Sequence, residues 1–187
     1  TGGPSPGRIT DNGPLRAGKG TIYEGGVRVR SLAHWPGQIK AGTRIGEPIH
    51  MVDWFPTLVR LAGGTLDQKL PIDGADVWGT ITQGAKSPHE AILLCADPAR
   101  AAVRAGDWKL VQGVSGENAE PPAETGVQSP AKRKVREKAK AAAKPGAGGV
   151  QLYHLATDIG EQHNVAAEQP GRVAELQARL ERFLHDA

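Results

Sequence analysis

Apolar positions recur in two rhythms along this 187-residue chain. The helical rhythm is plainest at the end. In "PGRVAELQARLERFLHDA", Val173, Leu176, Leu180 and Leu184 fall on one face of a helix that Pro170 opens. "HMVDWFPTLVRLAGG" predicts a second helix. Asp53 is its expected N-cap, Pro56 sits in the first turn where a missing N–H costs nothing, and Gly63-Gly64 ends it. Its buried stripe is expected at Met51, Phe55, Leu58, Val59 and Leu61 or Ala62. "DGADVWGTITQG" predicts one short capped turn of helix.

Alternation and short apolar runs mark the strands: "VRVRSLAHW" (27–35), "EAILLCA", "AAVRAGDWKLVQ" as two strands around Ala105-Gly106-Asp107, and "VQLYHLA". These elements predict an α/β chain in which a small antiparallel sheet, covered by the C-terminal helix, packs beside a larger α/β body. Thr1 to Gly26 reads as glycine- and proline-rich loop.

Composition changes this picture in two places. The net charge of +3 is misleading, because residues 131–144, "AKRKVREKAKAAAK", hold seven Lys or Arg and one Glu. Elsewhere 16 basic residues face 19 acidic ones, so the remainder is mildly acidic. The basic run lies in a stretch from about 113 to 149 that is poor in large apolar side chains and punctuated by "AEPPAE" and "KPGAGG". It is expected to be a flexible insertion. Lys/Arg clusters also attract phosphates, but no aromatic residue is interleaved for base stacking, so no nucleic-acid partner is expected. Second, the chain begins at Thr1 and its only methionine is Met51, which predicts a trimmed piece whose front end and any leader are missing. No apolar run approaches the ~20 residues of a membrane span. A lone Cys95 excludes an internal disulfide framework and a cysteine-based zinc site.

Candidate chemistry concentrates in "TDNGPLRAGKGTIYEGG", residues 10–26. Lys19 stands between Gly18 and Gly20, so an anion can approach its compact ammonium closely. Asp11 and Asn12 place two side-chain oxygens together, as a hard cation such as calcium requires, although such a turn is also an ordinary structural device. Glu24, followed by Gly25-Gly26, would cap or buttress the loop, and Arg16 would brace it through carboxylates or carbonyls. His50 either reaches a pocket mouth or simply flanks its helix. Asp73, Asp76 and Asp107 read as turn and cap residues, and His154 and His163 as structural.

The order of these runs matters more than any one of them. "NGPLRAGKGTIYEGGVRV…WPG", "HMVDWFPTLVRLAGG", "LPIDGADVWGTITQG", "VRAGDWKLV" and "LYHLATDIGEQHNVA" together resemble the C-terminal part of type I sulfatases. These form the arylsulfatase family of the alkaline-phosphatase-like superfamily, and the run from "PTLVRLAG" to "DVWGTITQG" is most similar to the arylsulfatase B-like branch. The resemblance implies an alkaline-phosphatase-like α/β fold divided into 1–90, a portion of the core with an active-site loop at 1–26, and 91–187, the sheet subdomain and helix. It implies hydrolysis of sulfate esters by calcium and a formylglycine made from a Cys-x-Pro-Ser-Arg motif.

That motif is absent here; Cys95 sits in "CADPAR". The nucleophile is therefore expected outside this chain, and the chain alone is expected to be inactive. The resemblance also aligns Gly2-Gly3 with the glycines of the calcium-binding turn, leaving the calcium ligands mostly outside the chain and Asp11-Asn12 as the weaker alternative. It makes Lys19 the sulfate-contacting catalytic residue and gives His50 a possible substrate contact. The implied partner is a sulfated small molecule or glycan, and the implied compartment is periplasmic or extracellular. Phosphodiester or phosphonate hydrolysis within the same superfamily, and a non-catalytic binding module, remain the alternatives.

Overall fold

The computed structural model describes residues 11–97, 99–114 and 149–186. The expected insertion lies almost wholly outside the described residues, as do Thr1, Gly2 and Gly3. The chain forms two compact units, one combining 1–30 with 93–187 and the other spanning 31–92.

The first unit is built on a four-stranded sheet in the order β1-β2-β3-β4: β1 (Ile92–Asp97), β2 (Arg100–Ala105), β3 (Trp108–Gln112) and β4 (Gln151–His154). Strands β2 and β3 form the expected antiparallel hairpin, with Ala105 opposite Trp108. Its two-residue loop has a positive φ at Gly106 (57°), the first loop position, as type II′ hairpin turns require. Strand β4 pairs antiparallel with β3, placing Tyr153 beside Lys109 and Leu152 beside Leu110.

Both faces of this sheet are covered, which is why β3 reads as "KLV" rather than as alternating apolar and polar. Helix α4 (Pro170–Asp186) packs on β2 and β3 and buries Leu176 and Leu180 completely. Val103, Leu110 and Leu152, adjacent across the strands, are buried as well. On the other face Ala102, Val111 and Tyr153 form a core with Ile22, Tyr23, Val114 and Leu155. The segment ending in the short helix α1 (Glu24–Val27) thus lies against the sheet.

The second unit holds a 3-10 turn (Met51–Asp53), helix α2 (Trp54–Leu61) and helix α3 (Trp78–Gln83). Three expectations need correction here. The run at 27–35 forms no strand beyond the end of α1; residues 28–38 are all exposed and no described strand pairs with them. Alternation without a partner ladder leaves the backbone to water. Asp53 does precede α2, but its side chain caps the 3-10 turn rather than the helix: His50 N–H donates to Asp53 Oδ2 at 2.6 Å. The apolar stripe of α2 also exists but is not buried, since Met51 is 69%, Phe55 56% and Leu58 55% exposed. The helix docks through its opposite side, where Thr57 Oγ1 donates to Asp53 O (2.7 Å) and accepts from Val77 N–H (3.0 Å).

Candidate functional site

The loop carrying Lys19 is a series of turns, each held by a named bond. Gly13 N–H donates to Asp11 Oδ1 (2.7 Å), and Asn12 Nδ2 donates to Ala17 O (2.6 Å). Ala17 takes a positive φ of 57°. Thr21 N–H and Thr21 Oγ1 then both donate to Gly18 O, at 3.1 and 2.8 Å. Gly18-Lys19-Gly20-Thr21 is therefore a β-turn with Gly20 at φ +89°, and a glycine at the third position is the signature of type II. Lys19 occupies the corner and is exposed.

Helix α1 backs directly onto this turn. Gly25 N–H donates to Arg16 O (2.9 Å). A Cβ on Gly25 would stand 2.3 Å from Arg16 O and Ala17 O, and one on Gly26 would stand 2.2 Å from Thr21 O. The paired glycines are thus a requirement of close backbone approach.

Below the loop is a layer of polar groups that are buried or half-buried. The Arg16 guanidinium lies 4.0 Å from the centre of the Tyr23 ring and donates to Tyr153 Oη (2.9 Å) and Glu161 O (2.7 Å). Both tyrosine hydroxyls donate to Gln151 Oε1. Burial raises both phenols above their ordinary range, with Arg16 opposing.

Lys109 is fully buried; its Nζ bonds Glu24 Oε1 at 2.9 Å and lies 2.8 Å from Glu161 Oε1 as an ion pair. Glu161 Oε2 in turn accepts the Glu24 backbone N–H at 2.7 Å. Arg104 and Arg28 approach Glu24 Oε2 to 3.7 and 3.6 Å. Burial lifts the Glu161 carboxyl above the usual carboxylate range, against the Lys109 charge that lowers it.

The other candidates fall elsewhere. His50 belongs to the second unit, where its Nδ1 accepts from Val52 N–H at 3.4 Å, so it caps the 3-10 turn. Asp53 Oδ1 accepts from Ala75 N–H (2.9 Å) and pairs with His89 Nε2 (2.8 Å). Asp76 Oδ1 accepts from Trp78 N–H in a turn just ahead of α3, whose N-cap position is Val77. Among the described residues, no three His, Cys, Asp or Glu gather as a cation site. Asp11 spends one carboxylate oxygen and Asn12 its amide N–H on local turns, and among the described residues no cluster of three His, Cys, Asp or Glu includes them.

Sequence reasoning anticipated Arg16 as a brace and Glu24 as a buttress but missed Lys109, Glu161 and His89. Lys109 left one signal, a lysine set between Trp108 and Leu110-Val111 in a run that otherwise reads as core.

No protein-family model matches the chain. Individual proteins do. Mouse arylsulfatase J is 41% identical over 103 residues, which is 55% of this chain and 17% of that protein. Human arylsulfatase A is 41% identical over 103 residues, 52% of this chain and 20% of that protein. Over the matched part, this chain is similar to type I sulfatases. The chain spans about a fifth or less of the length of these relatives. Its fold agrees. Ps i-CgsB, solved in complex with k-i-k-neocarrahexaose, matches 91% of the chain and 32% of its own, with TM-score 0.65 and 25% identity. The PsFucS1 sulfatase from Pseudoalteromonas sp. shares the fold at TM-score 0.67 and 20% identity, over 92% of this chain and 32% of its own. The chain is thus an α/β portion of the alkaline-phosphatase-like fold, with its small antiparallel sheet and C-terminal helix in place.

Proposed function

We propose that this chain is the C-terminal portion of a sulfuric ester hydrolase and that Lys19 is the cation it supplies to the sulfate group. The observation that carries the reading is the placement of Lys19 at the exposed corner of a glycine-flanked turn locked onto a buried sheet. A primary ammonium there donates hydrogen bonds to a tetrahedral anion without reorganising as charge develops. His50 is the secondary candidate for substrate contact. The substrate is a sulfated glycan or small sulfate ester, a choice supported by the sulfatase relatives and by the oligosaccharide bound to Ps i-CgsB. Phosphorus chemistry finds no support among those relatives.

These 187 residues contain no Cys-x-Pro-Ser-Arg run. The formylglycine nucleophile and the calcium shell belong to the remainder of the enzyme and would supply attack on sulfur and charge neutralisation there. The isolated chain is accordingly inactive, and the complete protein acts in an exported compartment.

The test is substitution of Lys19 in the complete enzyme. Lys19→Ala lowers turnover of an aryl sulfate about 10²-fold or more, the scale for loss of one preorganised donor to a developing anion. Lys19→Arg rescues poorly, since a planar fork does not reproduce a compact ammonium. Unchanged turnover by Lys19→Ala would remove the assignment.

A further inference from the structure

A buried lysine is costly unless its charge is used, and Lys109 is fully buried with its ammonium against two carboxylates that are buried as well. Its Nζ joins two carboxylates from opposite ends of the sequence. Glu24 is the first residue of α1, and Glu161 lies in the loop after β4, where it holds a positive φ of 52°. The two are also tied to each other, through Glu24 N–H and Glu161 Oε2. The backbone oxygen of Glu161 receives Arg16, the residue three before Lys19. The loop is therefore gripped at both ends by one residue: Glu161 holds Arg16 before the Lys19 turn and Glu24 after it. Lys109, projecting from rigid β3, holds Glu161 and Glu24 together.

Between those anchors little slack remains. Gly25 and Gly26 press against the carbonyls of Arg16, Ala17 and Thr21, and Thr21 closes the turn on Gly18. A shift of α1 by a fraction of an ångström must move the Lys19 corner with it.

We propose that Lys109 is a positioning residue for Lys19: the buried Lys109–Glu24–Glu161 group sets where the exposed ammonium stands. This rests on the reading of Lys19 as the sulfate-contacting cation. Catalytic donors lose large factors when displaced by about 1 Å, so a side chain that never meets substrate still controls turnover through this path.

A double-substitution cycle in the complete enzyme tests it, using Lys19→Ala, Lys109→Met and both together, with kcat and KM measured on one aryl sulfate. Lys109→Met is expected to lower kcat at least tenfold with Lys19 present and less than twofold when Lys19 is already alanine. A merely structural Lys109 would cost the same factor in both backgrounds, and that result overturns the proposal. Wild-type turnover by Lys19→Ala alone would instead sink the functional reading on which it rests.

Removing one partner of a buried ion group can prevent folding. Lys109→Met/Glu24→Gln keeps the net charge of the three groups unchanged and serves as the second variant, carried through the same cycle. Amide exchange on the 187-residue chain gives a readout without substrate. In either variant the Thr21 and Gly25 amides should exchange at least tenfold faster while Leu180 in α4 keeps its protection. Unaltered exchange at Thr21 and Gly25 would also overturn the proposal.

Discussion

Single residues in the Lys19 loop are constrained for different reasons, and the glycines separate them. Gly20 needs a positive φ but has open space around it, whereas Gly25 has no special φ and no room. Gly20→Ala should cost about 1–2 kcal/mol, the left-handed penalty of an L-residue. Gly25→Ala must push apart two backbone carbonyls at 2.3 Å and should cost more than Gly20→Ala, in the upper part of the ~1–3 kcal/mol range for overpacking or beyond it. Denaturant titration of the two variants checks the ranking; equal costs would mean that the loop yields easily and is no rigid platform. The sequence displayed Lys19 and its glycines openly, because flanking glycines are a local signal. It could not display Glu161, which meets Lys109 and Glu24 only through tertiary contact and reads as one more charged loop residue.

Elements were legible where one periodicity had one meaning. The hairpin 100–112, strand β4 and helix α4 stand where alternation and heptad-like spacing predict them. Helix α2 shows the limit of that logic. Its apolar stripe is real, yet within its unit the helix is held by polar groups on the other side. Periodicity locates a face and cannot say which neighbour covers it. The contrast is measurable. Thr57→Val, nearly isosteric, leaves the buried Val77 N–H without its acceptor and should cost about 1–3 kcal/mol. Leu58→Ala, at an exposed position, should stay within about 0.5 kcal/mol in the 187-residue chain. Reversed costs, read from the unfolding of these two variants, would show that the apolar face is covered after all.

Across the whole molecule, stability and charge meet at Glu161 and Asp158, three residues apart and opposite in sign. Asp158 is pulled up by burial, but backbone N–H groups of His163 and Gln162 outweigh this and leave its carboxyl below the ordinary value of 3.8. Its contribution is present above pH 3.8 and is lost as pH falls through the depressed folded value. Glu161 is raised above 4.5 by burial, with Lys109 opposing. Between pH 4.5 and its folded value the native state keeps a proton that the unfolded chain has released. Stability due to Glu161 is therefore fully present below 4.5 and declines as pH rises through that window. Glu161→Gln removes only this second component. The unfolding free energy of wild type minus that of Glu161→Gln should consequently fall as pH rises from 4.5, then level off once Glu161 is ionised in both states. Lys109→Met/Glu24→Gln withdraws the charge that favours ionised Glu161, while removing a neighbouring negative charge that opposes it. Because Lys109 is the larger of the two influences, the decline should extend to higher pH in that variant. Denaturant titrations at a series of pH values decide the matter. A difference that does not change with pH would mean that Glu161 titrates alike in the folded and unfolded chain, which a carboxylate sealed against a buried ammonium should not do.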